Sequence, residues 1–144
     1  MSTRDEKQVG IVLVTHGNYG QSLLDAAQVI LGAQPGCAAV GVDISLEVGE
    51  ILANIREAVQ KSDLGGGVLI LTDMFGGTPT NLSLSLLGTG RLEVMTGVNL
   101  PMLLKVMGSR TTSLGKLSQD AKTAGCQGIV VAGELLRSKV AETK

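Results

Sequence analysis

The sequence predicts an α/β domain: a three-layer, doubly wound sheet with helices on both faces. Two apolar runs carry that expectation, Ile11-Val12-Leu13-Val14 and Val68-Leu69-Ile70-Leu71. Neither alternates with polar residues, which is the pattern of parallel strands buried under helices on both sides. The third observation is that the segments between strand candidates show helical periodicity, and strand–helix alternation with right-handed crossovers covers both faces of a sheet. A length of 144 residues suits one domain with a full core, and the whole chain, 1–144, is read as that domain.

The first strand is expected over Val9–Thr15, and Tyr19–Leu31 follows as a helix whose Leu23, Leu24, Ala27, Ile30 and Leu31 share one stripe, with Gly32 past its end. Cys37–Val42 is a short second strand. Ser45 is expected to cap a helix running through Lys61, with Leu52, Ile55 and Val59 at helical spacing and Glu47 in its first turn. Gly65-Gly66-Gly67 reads as a turn into the third strand, Val68–Thr72. A short helix reaches Leu87, Leu92–Thr96 is the fourth strand, and a further helix ends near Gly108. Ser113–Ala124 is the last helix and Gly128–Ala132 the last strand. Residues 1–8 and 138–144 are expected as loose tails.

Composition removes several functional classes. A formal net charge of −1 offers no basic face for nucleic acid and no polybasic membrane signal. Tyr19 and Phe75 are the only aromatics, too few for a base-stacking platform. The apolar runs fall short of the ~20 residues that span a bilayer. The polar start, Met1–Gln8, does not read as a secretory leader, so a cytoplasmic protein without membrane insertion is expected. Cys37 and Cys126 fit no metal or redox spacing and read as small buried hydrophobes.

The only histidine, His16, stands where the first apolar run stops, in Val14-Thr15-His16-Gly17. Open α/β sheets place their ligands just past the carboxyl ends of their strands, at the loops that here would unite His16, Asp73 and Gly97–Pro101. Thr78-Pro79 reads as a helix start, because threonine caps well and proline suits the first helical position. Gly76-Gly77 lets the backbone approach a ligand with its N–H groups outward, which makes an anion site. Pro101 opens another helix beside Asn99. Asp73 is expected to accept the proton-bearing nitrogen of His16, fixing the ring and leaving its other nitrogen bare. The hydroxyls of Thr15 and Thr78 are candidates for further contacts to a bound oxyanion, with strand-end or capping roles as the alternative.

Elimination narrows the chemistry. Neither cysteine lies near the carboxyl end of a strand, and no serine or cysteine triad can be assembled. One histidine and one local carboxylate are too few for a metal site, so no metal or cofactor is expected. The chain has no phosphate-binding loop of the G-x-x-x-x-G-K-[ST] kind and no G-x-G-x-x-G. A receiver-like domain would need an acidic cluster where Thr15-His16-Gly17 stands. What remains is phosphoryl transfer through a phosphohistidine, with helix N-termini holding the phosphoryl oxygens. Without a nucleotide site the phosphate must come from another phosphoprotein, and Met74, Phe75, Leu100 and Met102 are the apolar docking candidates.

Three segments, Val14–Gly17, Leu71–Asn81 and Thr96–Leu103, resemble the IIA component of the mannose family of the bacterial phosphoenolpyruvate-dependent sugar phosphotransferase system. The phosphotransfer subunit of dihydroxyacetone kinase has a similar fold and histidine but should lack Gly76-Gly77-Thr78-Pro79. The resemblance spans Val9 to Ala132 and implies four parallel strands in the order 2-1-3-4. It also implies an antiparallel last strand, Gly128–Ala132, exchanged in a homodimer. By the same resemblance His16 takes phosphate from the phosphocarrier HPr and passes it to a separate IIB component that phosphorylates sugar during uptake. Asp73 would orient His16, while Gly76, Gly77 and Thr78 receive the phosphoryl oxygens. Phe75, Asn99, Pro101 and Met102 would flank the site. The family commonly has serine where Thr78 stands, and Thr80 replaces an aromatic, which weakens apolar docking there. A regulatory module with the same fold is the alternative.

Overall fold

The computed structural model describes residues 7–143, with side chains through 140. Its element order is β1 (Gln8–His16), α1 (Tyr19–Leu31), β2 (Cys37–Val42), α2 (Val48–Ser62), β3 (Gly65–Thr72), α3 (Gly77–Leu84), β4 (Leu92–Met95), α4 (Leu100–Met107), α5 (Leu114–Gln127) and α6 (Ala132–Thr143). The four strands are parallel in the order β2-β1-β3-β4, as expected.

Strand alternation divides the core between the two faces. Val9, Ile11 and Leu13 of β1 pack with Leu69 and Leu71 under helices α1, α4 and α5, where Leu24, Leu103, Val106 and Leu117 fill the layer. Val12, Val14, Val68 and Ile70 face the other way, onto Ile51 and Ile55 of α2 and Leu86. All nine of these strand residues are at most 1% exposed, which explains why their sequence shows no polar alternation.

Several local expectations give way to competing chemistry. Helix α2 begins at Val48 with Glu47 as its N-cap, not Ser45. The Ser45 N–H is instead taken by the Asp43 carboxylate at 2.9 Å, a tight turn that ends β2 before the helix can start. Gly65-Gly66-Gly67 belongs to β3, beginning it with a register irregularity against Gln8 and Gly10. A Cβ at Gly66 would lie 2.7 Å from the Gln8 carbonyl, so glycine is what lets the two strands meet there. Helix α5 does use Ser113, whose hydroxyl accepts the Lys116 N–H.

Gly128–Ala132 forms no strand within its own chain. α6 starts at Ala132, and Ile129, Val130 and Val131 are exposed between α5 and α6. A segment becomes a strand only by pairing, and this one pairs with no edge of its own chain's sheet. The expected tail over 138–144 is helical through Thr143, and Gln8 lies in β1; residues 1–6 and 144 lie outside the described residues. Cys126 is exposed and Cys37 half-buried, so neither is a fully buried hydrophobe. Burial pushes the Cys37 thiol up, with the Arg110 charge opposing it.

Arg110 ties the amino edge of the sheet together. It is 6% exposed and donates to three backbone carbonyls: Nε to Val9 at 2.8 Å, Nη1 to Pro35 at 2.6 Å and Nη2 to Gly36 at 3.3 Å. Hydrogen bonds from a charged donor contribute about 2 kcal/mol each, enough to let a cation stay buried beside oxygen dipoles.

Candidate functional site

His16 is the last residue of β1, and alternation turns its side chain opposite to that of Thr15. Thr15 is fully buried and its hydroxyl accepts the Gly20 N–H at 2.7 Å, satisfying the first turn of α1. That hydroxyl therefore points into the fold and away from the strand-end surface. The His16 side chain is 50% exposed. Its ring Nδ1 lies 2.7 Å from Asp73 Oδ2, and the same oxygen accepts the His16 backbone N–H at 2.9 Å. Two donors from one residue on one carboxylate oxygen fix both the main chain and the ring.

Asp73 sits just past β3, with its side chain 16% exposed. Partial burial raises its carboxyl pKa, but the His16 backbone N–H, the ring hydrogen bond and the ring's charge together outweigh this, and the result is a lowered value. Because the folded value lies below the unfolded one, about 3.9, this group stabilises the fold above that range. The contribution is lost as pH falls through the folded value. Asp73→Asn should therefore remove part of the acid limb of the stability–pH curve and cost about 1 kcal/mol near neutrality. Urea unfolding of both proteins across the acid range measures it; parallel curves would contradict the ion pair.

With Nδ1 engaged, the other ring edge faces the start of α3. A Cβ built on Gly77 would lie 3.2 Å from His16 Cε1 and 3.4 Å from Nε2. Gly76 and Gly77 have φ of +84° and +81°, a backbone open to glycine and costly for other residues. They hold the N-terminus of α3 with no side-chain cap, Gly76 occupying the N-cap position. Thr78 is exposed in the first turn and is not the cap, and Pro79 follows it. The first N–H groups of a helix have no partner within it, and here they lie beside Nε2.

Sequence reasoning missed the brace beneath this loop. Thr72 and Thr80 are both fully buried, with their hydroxyls 2.7 Å apart, and Thr80 Oγ1 donates to the Met74 carbonyl at 2.5 Å. Thr80 is thus an internal strut, not a docking position. No local signal marks it, since its partner lies at the end of the preceding strand.

The β4–α4 loop plays a supporting part. Its Val98 N–H donates to the Thr72 carbonyl at 3.0 Å and its Val98 carbonyl accepts from the Tyr19 hydroxyl at 3.1 Å. Asn99 caps α4 by accepting the Met102 N–H and donates to the Gly125 carbonyl. Met102 is 5% exposed in the core and Leu100 packs against the same cluster, so both stabilise α4 and offer no docking surface. Pro101 is exposed beside Gly128, on the side toward α5. Met74 and Phe75 remain as surface residues, 55% and 77% exposed. Ile44, 94% exposed, shares an open depression with His16, Gly17 and Asn18 that the sequence had not suggested.

Chemically, the arrangement presents one imidazole nitrogen to solvent, its ring held by a carboxylate, beside an uncapped helix N-terminus. Among the described residues no cluster of side chains could hold a metal ion, and no helix is long and apolar enough to cross a membrane.

Comparison with known proteins places this fold and sequence in a family. The model of a family described as phosphotransferase-system fructose IIA component matches residues 10–122. The fructose-specific EIIA component of Bacillus subtilis is 28% identical over 130 residues, 89% of each chain. The transcriptional regulatory protein LevR of the same organism is 34% identical over 114 residues, which are 78% of this chain; the match spans only 11% of LevR. A crystal structure of phosphotransferase system component EIIA from Streptococcus agalactiae superposes with a TM-score of 0.79 at 27% identity, covering 88% of this chain and 98% of that one. A family match through both strand-end motifs, joined to the same fold, establishes that the chain belongs to the fructose- and mannose-type IIA family of the sugar phosphotransferase system.

Proposed function

We propose that this chain is a phosphocarrier: His16 accepts a phosphoryl group from phosphorylated HPr and passes it to a separate IIB component that feeds sugar uptake. The observation that carries the reading is the 2.7 Å hydrogen bond that Nδ1 donates to Asp73, which leaves Nε2 as the nucleophile beside Gly77. In the step, the Nε2 lone pair forms a bond to phosphorus while the bond to the donor's nitrogen breaks, its electron pair leaving with the donor. Nδ1 keeps its proton, and Asp73 stabilises the positive charge that develops on the ring. The α3 amides of Gly77 and Thr78 and the Thr78 hydroxyl receive the phosphoryl oxygens, whose charge spreads in a loose transition state. No metal or cofactor takes part.

The surface around His16 fits a protein donor better than a small one. Phe75, Met74 and Ile44 offer exposed apolar area on both sides of the ring. Asp43 and Glu47 lie in the β2–α2 connection and Glu50 in the first turn of α2, and no lysine or arginine occurs from Gln8 to Ile55. A partner with basic residues around an apolar patch complements this face. Exposed Ile129, Val130 and Val131, together with β4 at the end of the sheet, support a homodimer in which that segment pairs with a second copy. A cytoplasmic location follows from the proposed partners.

The decisive experiment supplies phosphoenolpyruvate, enzyme I and HPr and follows the label. A phosphoramidate survives alkali and is lost in acid, whereas an acyl phosphate on Asp73 is lost in alkali as well. Label that is alkali-stable and maps to the His16 peptide is the expected outcome; base-labile label would overturn the reading. The similarity to LevR favours a second reading, in which the phosphorylated state controls a partner instead of feeding a transporter. Onward transfer to a IIB protein separates the two.

A further inference from the structure

We propose that a cavity at the amino end of β4 is a binding site for a small organic phosphate ester with a hydroxylated remainder. The cavity is about 300 Å³, the lower end of the range for ligand sites, and is walled by Arg56 and Gln60 of α2 and by Thr89 and Arg91 of the α3–β4 connection. Its floor is apolar, formed by Val59 and Leu92.

Charge selects the ligand. Among the described residues neither Arg56 nor Arg91 enters an ion pair. Glu57, the chain neighbour of Arg56, is taken by Lys61 at 2.6 Å. Asp63 is the one carboxylate on the wall, and its Oδ1 already accepts the Gly65 N–H at 2.9 Å. Two arginines thus line one concavity from separate elements, with one partly engaged carboxylate against them. Planar forks of this kind bind phosphate oxygens in pairs, and two of them suit a dianion better than a single carboxylate. The position of Arg91 is fixed from behind, because its carbonyl accepts the Val68 N–H at 2.9 Å.

The neutral groups select the remainder of the ligand. The Thr89 hydroxyl donates to the Leu86 carbonyl at 2.6 Å, so its free lone pairs can accept from a ligand hydroxyl. Gln60 adds an amide with both polarities. Val59 and Leu92 support the carbon skeleton. The site stands apart from His16: from Val68 beside Leu92 to Asp73, β3 rises about 16 Å along the sheet. A ligand here cannot take part in chemistry at the ring, and this inference does not depend on the phosphocarrier reading.

The test is an amide and arginine-Nε NMR titration of the full chain with glucose 6-phosphate, inorganic phosphate and glucose. Saturable shifts at Gly90, Arg91 and Arg56 with glucose 6-phosphate are expected, with none from glucose and none at His16. Arg56→Gln and Arg91→Gln should each weaken binding at least about tenfold, while Arg91→Lys, keeping charge but losing the fork, falls between. Both arginines are exposed, so these variants keep the fold, which the rest of the spectrum reports. Absence of saturation at millimolar ligand, shifts that survive both substitutions, or inorganic phosphate binding as tightly as the ester would each overturn the assignment.

Discussion

His16→Gln is expected to abolish phosphoryl acceptance, leaving no label above background under conditions that fully label the native chain. Glutamine is the informative replacement because its amide can still donate a hydrogen bond to Asp73. Its nitrogen lone pair is delocalised into the carbonyl, however, and is not a nucleophile. The fold should survive, since the side chain is half exposed and, among the described residues, hydrogen-bonds to Asp73 alone. The change in stability should stay within about 1 kcal/mol, the ordinary worth of one hydrogen bond. Circular dichroism and label incorporation measured on the same sample separate the two effects. Label persisting in this variant would place the acceptor elsewhere and remove the basis of the functional reading.

Gly77→Ala should slow transfer at least about a hundredfold while leaving the protein folded, the scale of losing one preorganised oxyanion donor. Two causes act together. At φ +81° an L-residue is strained by about 1–2 kcal/mol, and relaxing that strain moves the N-terminus of α3. The new Cβ would also stand 3.2–3.4 Å from the Cε1 and Nε2 atoms of His16, in the space a phosphoryl group must occupy. Gly32→Ala controls for general backbone strain. Gly32 has φ +85° and nothing within 4 Å of a built Cβ, so it suffers similar strain without crowding the ring. Rapid-quench transfer rates from phosphorylated HPr should fall for Gly77→Ala alone. Equal losses in the two variants would mean that general backbone strain, not blocked access to Nε2, is responsible.

The parts of the fold that were legible were those written in local periodicity. Val12 and Ile70 occupy strands buried on both faces, so their runs stay apolar, and Leu24 and Ala27 recur as one helix face must. Helix starts were less legible because capping is a competition. Ser45 and Thr78 are good caps in isolation, but Asp43 captures the Ser45 N–H and the paired positive-φ glycines place Gly76 at the cap of α3. Gly128–Ala132 has the composition of a strand, and composition says nothing about who supplies the other half of its ladder.

The site divides along the same line. His16, Asp73 and the glycine pair were legible because each stands at the end of a buried strand, where this architecture gathers its chemistry. Thr15 was misplaced because adjacency in sequence is opposition across a strand: its hydroxyl turns inward to Gly20 while the neighbouring imidazole turns out. Thr72 and Thr80, Ile44, and the Arg56–Arg91 cavity were invisible, since each depends on residues brought together by other elements. The chain's own pattern of apolar and polar residues determined the order of elements through α5, the faces they bury and the strand end that carries the candidate site, because short-range periodicity decides these. Only the packed structure decided which nitrogen of His16 is left bare, because a hydrogen bond between residues 57 positions apart exists only once the sheet has set β1 beside β3.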